Sequence, residues 1–176
     1  MIQSKKLILS LSLFIFLVIP ALFIFVVKQG EFSKWNHTWP GEEAIESHEA
    51  LYLGYTLHWD GITTPTIHHI SFIKKDGLML GTDDQQLTII PYMETGELIT
   101  GAIDEEYAIS EGFTDFYVPV NDYRMEESEL RLILKVQFKD FNHDHDIHQI
   151  LIEYETLGLK QEQYIDFEGF VKKEDE

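Results

Sequence analysis

The stretch Leu7 to Val27, LILSLSLFIFLVIPALFIFVV, carries no charge, and only Ser10, Ser12 and Pro20 interrupt its large apolar side chains. Lysines close it at both ends, Lys5 and Lys6 before it and Lys28 after it. At about 1.5 Å per residue it would span roughly 31 Å as a helix, close to the ~30 Å hydrocarbon core of a bilayer. The stretch therefore predicts a single N-terminal transmembrane helix over 7–27, with Pro20 removing one backbone donor and kinking it after Phe16.

The exit from this run, Val26-Val27-Lys28-Gln29-Gly30, has no pair of small residues suited to cleavage. The apolar run also exceeds the roughly 7–15 residues of a cleavable signal. An uncleaved signal anchor is the expectation. Lys5, Lys6 and the terminal amine outweigh Lys28 and Lys34, so residues 1–6 are predicted to be cytoplasmic and the rest extracytoplasmic. This describes a single-pass protein of the cell membrane. The span offers no small-xxx-small packing face, so it reads as a tether.

Beyond the span the chain turns acidic. It holds 31 acidic and 13 basic residues, and since only Glu31 and Lys5, Lys6, Lys28 and Lys34 precede Trp35, 30 acids face 9 bases from there on. Nucleic acid, which is held through Lys and Arg contacts to phosphate, is excluded as a partner. Self-repulsion of such a surface keeps it soluble. Cysteine is absent, which removes disulfides, thiolate nucleophiles and thiolate metal ligands from consideration.

Residues 28–41, with Gly30, Pro40 and Gly41, read as a juxtamembrane tether in which Trp35 and Trp39 lie at headgroup level or pack on the domain base. Glu42 to Ala50 has good helix formers and suggests a short helix. From Leu51 the pattern becomes period two: Leu51, Leu53, Tyr55, Leu57 and Trp59 share one face of a strand. Ile67–Ile73 resumes it and turns at Lys74–Gly77 towards Leu78–Leu80. Gln86–Met93 contains Pro91 and so reads as an edge strand or one ending there. Glu97–Ile103, Tyr107–Ile109 and Phe113–Val120 are further short candidates. Leu130–Phe138 has the cleanest alternation, with Leu130, Leu132, Leu134, Val136 and Phe138 inward and Arg131, Ile133, Lys135 and Gln137 outward, and is expected to be central. His148–Thr156 and Tyr164–Val171 follow, and 172–176 is a frayed tail.

About eight short strands with turn signals between them, and almost no helical period, predict antiparallel pairing. The expected fold is mainly β: an acidic immunoglobulin-like β-sandwich over 42–171, with a small closed β-barrel as the alternative.

The densest group of chemically useful side chains is Asn142 to His148. His143, Asp144, His145, Asp146 and His148 have the nitrogen and oxygen ligands that a divalent metal accepts, and they compose the predicted metal site. The opposing reading is a polar hairpin loop. No other cofactor is expected. His68 and His69 face opposite sides of one strand, so at most one could pair with His58 across a sheet. There is no G-x-S-x-G, phosphate loop or H-E-x-x-H motif. Asp83-Asp84 falls short of a calcium loop, and Glu105-Glu106 and Glu126-Glu127 read as solvated acids. Tyr107, Phe113, Phe116, Tyr117 and Tyr123 with Asp115 and Asp122 could form a carbohydrate or peptide platform, or pack as ordinary strand aromatics. The functional expectation is a non-enzymatic, membrane-tethered module that binds a protein or envelope component. The alternatives are a metal-binding or metal-sensing domain and an anchored hydrolase whose site is assembled only by folding.

Overall fold

The computed structural model describes residues 2–27, 30–40, 42–46, 50–96, 101–139 and 147–170, with the backbone alone at 2–11, 27, 37 and 42. Helix α1 covers Ile2–Val27 and contains Pro20. From 13 to 25 its large apolar side chains point outward without apolar cover. Among the described residues no helix is long and apolar enough to cross a membrane.

Ten strands follow α1 among the described residues: β1 Phe32–His37, β2 Ala50–Trp59, β3 Thr66–Lys74, β4 Leu87–Glu94, β5 Ala102–Asp104, β6 Tyr117–Pro119, β7 Tyr123–Arg124, β8 Glu129–Phe138, β9 Ile147–Thr156 and β10 Leu159–Asp166. The first sheet has the order β1-β2-β8-β4-β6, with β5 on the edge of β2 that β1 leaves free; the second has the order β10-β9-β3-β7. All pairs are antiparallel. Neither sheet closes on itself, so the barrel alternative is not met.

The two sheets share one core. Leu51, Leu53, Tyr55, Leu57 and Trp59 from β2 and Leu130, Leu132, Leu134, Val136 and Phe138 from β8 face Ile67, Ile70 and Phe72 of β3 and Ile150, Ile152 and Tyr154 of β9. The inward faces read from alternation are those observed, and β8 is central, between β2 and β4. Burial of each such side chain contributes about 1.5–3 kcal/mol. Pro91 lies inside β4, where β4 pairs with β8 on one side and β6 covers only Tyr92–Glu94 on the other. Its missing N–H thus falls on an open edge, where it removes no ladder bond.

Several positions depart from the sequence reading, among them Phe113–Phe116, a 3-10 turn at the start of the strand expected over Phe113–Val120. Residues 32–37, assigned to the tether, form β1, and the Gln163 side-chain amide ties Phe32 to β10 through both its backbone N–H and C=O, each at 2.7 Å. Tyr107–Ile109, expected as a strand, lies in helix α3, Glu105–Ser110, whose first turn is capped by Asp104 accepting from the Tyr107 N–H at 2.7 Å. The expected outward residue Ile133 is buried, because Ala108 of α3 covers it together with Tyr52. The short helix expected over Glu42–Ala50 is met in part by α2, Glu42–Glu46, while Ala50 already belongs to β2. The last strand starts earlier than Tyr164, at Leu159, and joins β9 through a two-residue turn.

One end of the sandwich gathers Phe32, Trp59, Tyr154 and the β9–β10 turn. Phe32 and Trp59 have ring centroids 4.8 Å apart, and Tyr154 meets both edge-on at 5.4 and 5.3 Å. Gly30 belongs to this end: a Cβ there would stand 1.9 Å from Cζ2 of Trp59. The opposite end is closed by Phe138, Phe167 and Phe170.

Candidate functional site

The 95–128 connection between β4 and β8 lays α3 across part of the outer face of the first sheet. Another part of that face is an open groove of about 300 Å³ between β1, β2, β8 and β4. Its floor is set by register: Gly54 lies opposite Ile133, and Thr56 opposite Arg131. Gly54, in the interior of a strand, leaves the floor without a side chain. Met93 pairs with Leu132, which brings the buried Glu94 beside Arg131. The Arg131 guanidinium donates from Nη1 to the Gly96 carbonyl at 2.6 Å and lies 3.8 Å from Glu129. It is thereby fixed in direction.

Trp35 forms one wall. It is 65 % exposed and stands edge-on to the His58 ring at 5.5 Å. An exposed indole beside Asn36, Thr56, Glu129 and Arg131 supplies a flat apolar surface next to fixed donors and acceptors, the combination that holds a sugar ring or a peptide segment.

The groove was not legible as a unit. The sequence alone offers Trp35 as a headgroup anchor or as packing on the domain base, and its place in the groove depends on the pairing of β1 with β2. Of the aromatics proposed as a platform, Tyr117 packs with Tyr52 and Tyr92 at 5.3 and 6.4 Å, and Tyr107 with Phe113 at 5.9 Å. Tyr123 packs against the main core instead. They do not form a single surface.

The predicted metal residues His143, Asp144, His145 and Asp146 lie outside the described residues, and His148 is exposed on β9. Among the described residues no group of three or more His, Asp or Glu could hold a metal ion. His58 and His68 are in different sheets, so the pair considered across one sheet does not form. His68 instead contacts Asp122 through Nδ1 at 2.5 Å and Glu155 through Nε2 at 3.5 Å. Both neighbours are carboxylates, and among the described residues they do not complete a metal-binding group with it.

Asp84 is structural. It accepts from Lys74 Nζ at 2.7 Å and from the Gln86 and Leu87 N–H groups at 2.8 and 3.3 Å. Burial pushes its pKa up, but these donors outweigh burial and hold it below the usual carboxylate range. Glu105 pairs with Lys135, whose ammonium lies 5.6 Å from the centre of the Tyr52 ring. The Glu105 hydrogen bond raises the Lys135 pKa despite partial burial. That keeps Lys135 protonated, without the free amine lone pair a nucleophile needs.

No family model, curated protein or solved structure matches this chain.

Proposed function

We propose that this chain is a single-pass, membrane-anchored, extracytoplasmic binding module with an immunoglobulin-like fold, and that the groove beside Trp35 and Arg131 is its recognition surface. The observation that carries the reading is that groove: an exposed indole next to an arginine whose direction is already fixed. Strand order supports the fold assignment. β1-β2-β8-β4 and β10-β9-β3 follow the A-B-E-D and G-F-C orders of a constant-type immunoglobulin sandwich, with 95–128 as an insertion between the fourth and fifth of its seven strands. The anchor is supported by the uncharged Leu7–Val27 run and by the outward apolar side chains of α1, which need an apolar environment on every side. The ligand is a protein segment or envelope component with hydrogen-bonding groups and one apolar face.

The test uses the full chain in its native membrane. A photo-crosslinking side chain is placed at Thr56 in the groove or at Glu162 on β10, and the Thr56 adduct is compared with and without Trp35→Ala. The expected result is a discrete adduct at Thr56, absent at Glu162 and lost with Trp35→Ala. Equal labelling at both positions, or an adduct indifferent to Trp35, overturns the groove as a recognition surface. Carbonate resistance and digestion of the domain by external protease in intact cells test the anchor and its orientation.

A further inference from the structure

We propose that the end of the sandwich nearest α1 rests on the bilayer surface, with Ile62 and Leu157 entering its apolar boundary. This inference rests on the reading of Leu7–Val27 as a membrane anchor.

The linker sets the distance. Gly30 is three residues past Val27, so its Cα lies within about 11 Å of the end of α1 even if the chain is fully extended. Gly30 is also packed against Trp59, which fixes that end of the sandwich to the linker. The following loop is tied down as well: Glu31 N–H donates to Asp60 Oδ1 at 2.6 Å, and Trp59 Nε1 donates to the Thr63 carbonyl at 2.8 Å. On the second sheet the β9–β10 turn lies three residues beyond Tyr154. At ~3.3 Å per residue, this turn projects about 10 Å past the Phe32–Trp59–Tyr154 cluster.

The tips of both loops are apolar. Ile62 is 69 % exposed in the 60–65 loop, and Leu157 is 49 % exposed at the hairpin tip. Leu157 also holds φ at 51°, next to Gly158 at 80°. A two-residue hairpin with both central residues at positive φ selects Asn or Gly at the first position, because a Cβ there crowds the backbone. A bulky, strained and exposed leucine at that position is explained by a use for its side chain.

The opposite end supplies an internal comparison. Leu78 and Met79 are exposed there too, but in that turn Gly77 takes the positive φ and the leucine is unstrained. The helix-proximal end also carries Glu31, Asp60, Glu126, Glu127 and Glu155 against Arg124 and Lys160. Such a surface is repelled by anionic headgroups, so the contact suits zwitterionic lipid.

The chain has no cysteine, so single-thiol variants label cleanly. The full chain carrying Ile62→Cys, Leu157→Cys or Leu78→Cys is labelled with an environment-sensitive fluorophore and reconstituted into phosphatidylcholine vesicles, with or without nitroxide-bearing lipid. The expected result is a blue shift and lipid quenching at 62 and 157 and neither at 78, with the quenching diminished when phosphatidylserine is added. A second variant guards against misfolding of the labelled turn: Leu157→Asn, which suits the turn, should reduce quenching of the label at 62. If the protein floats with the vesicles and resists carbonate while 62 and 157 are quenched no more than 78, the inference is overturned and the anchor stands. If the protein does not float, both fall. Shielding of 62 and 157 from aqueous iodide without quenching from lipid identifies a protein contact, and this also overturns the inference.

Discussion

Replacing Leu157 by asparagine is expected to stabilise the domain, although it removes an apolar side chain. The backbone at this position has φ of 51°, a region where a Cβ costs roughly 1–2 kcal/mol. Asparagine tolerates it several-fold better, and Asn-Gly is the preferred pair for such a hairpin. Against this stands the burial lost. Leu157 is half exposed and belongs to neither apolar cluster, so the loss falls well below the ~1.5–3 kcal/mol of a fully buried leucine. The net gain works out at about 0.5–1 kcal/mol, or roughly 1–4 °C in melting temperature for a domain of this size. Leu157→Ala separates the two effects, since alanine loses the leucine contacts but keeps the Cβ strain. Melting of the full chain in detergent, followed by tryptophan fluorescence, should rank Asn above Leu and Leu above Ala. An asparagine variant that melts at or below the alanine variant would refute the reasoning, because backbone strain would then not be what the leucine costs.

Gly30→Ala should lower stability by about 1–3 kcal/mol, because the new methyl falls on the Trp59 ring and the ring must move; thermal melting checks it, and a parent-like transition would show that the linker does not pack on Trp59. Asp84 holds its proton less tightly in the folded state than in the unfolded chain, so its contribution is complete above the unfolded carboxylate value of about 3.9 and disappears as pH falls through its lower folded value. Asp84→Asn should therefore cost about 1–3 kcal/mol at neutral pH, and the gap to the parent should close in acid; a gap independent of pH would mean that charge is not the cause. Asp104→Ala removes the cap of α3 and should cost about 1 kcal/mol. Faster hydrogen exchange at Ala108 and Ile109 is the local readout, and unchanged protection there would show that packing on Ile133 alone holds the helix.

The strands that the sequence revealed are those whose faces meet different surroundings. In β2 and β8 one face is core and the other is polar or partly covered, so period-two alternation survives in the residues themselves. β10 lacks that contrast. Lys160, Gln161, Glu162 and Gln163 are polar on both faces, and the strand is held by its ladder to β9 and by a Leu-Gly turn that does not carry the usual Asn-Gly signal. β1 was hidden for a related reason: Phe32 is its single buried apolar anchor, and its strand geometry is imposed by β2, across the β-bulge near Trp35. α3 shows tertiary context overriding local preference. The run Tyr107–Ile109 suits a strand, yet Asp104 starts a helix and Ala108 completes the cover over Ile133. The groove depends on register at several places at once, through Gly54 with Ile133, Thr56 with Arg131 and Met93 with Leu132, and no local window contains those pairings.

The positions of the groove and the apolar tips constrain what the module can take. Thr56 lies three residues on the core side of Trp59, about 10 Å along β2, and the β9–β10 tip lies about 10 Å on the other side of the same aromatic cluster. With the tips at the bilayer surface, the groove opens sideways only about 20 Å above it. That height exceeds the ~15 Å radius of a small domain, so only a partner of larger radius is held off by the bilayer. A large globular partner, with a radius well above that height, would meet the bilayer before it met Trp35. A peptide segment leaving the membrane beside α1, or a polymer lying along the surface, reaches the groove without that clash. The carboxylates of buried Glu94 and of Glu129 around Arg131 further favour a neutral or basic ligand over an acidic one. On the proposed membrane placement, the contact of Gly30 with Trp59 would hold the groove at a fixed height and so favour ligands that are themselves confined to the membrane surface.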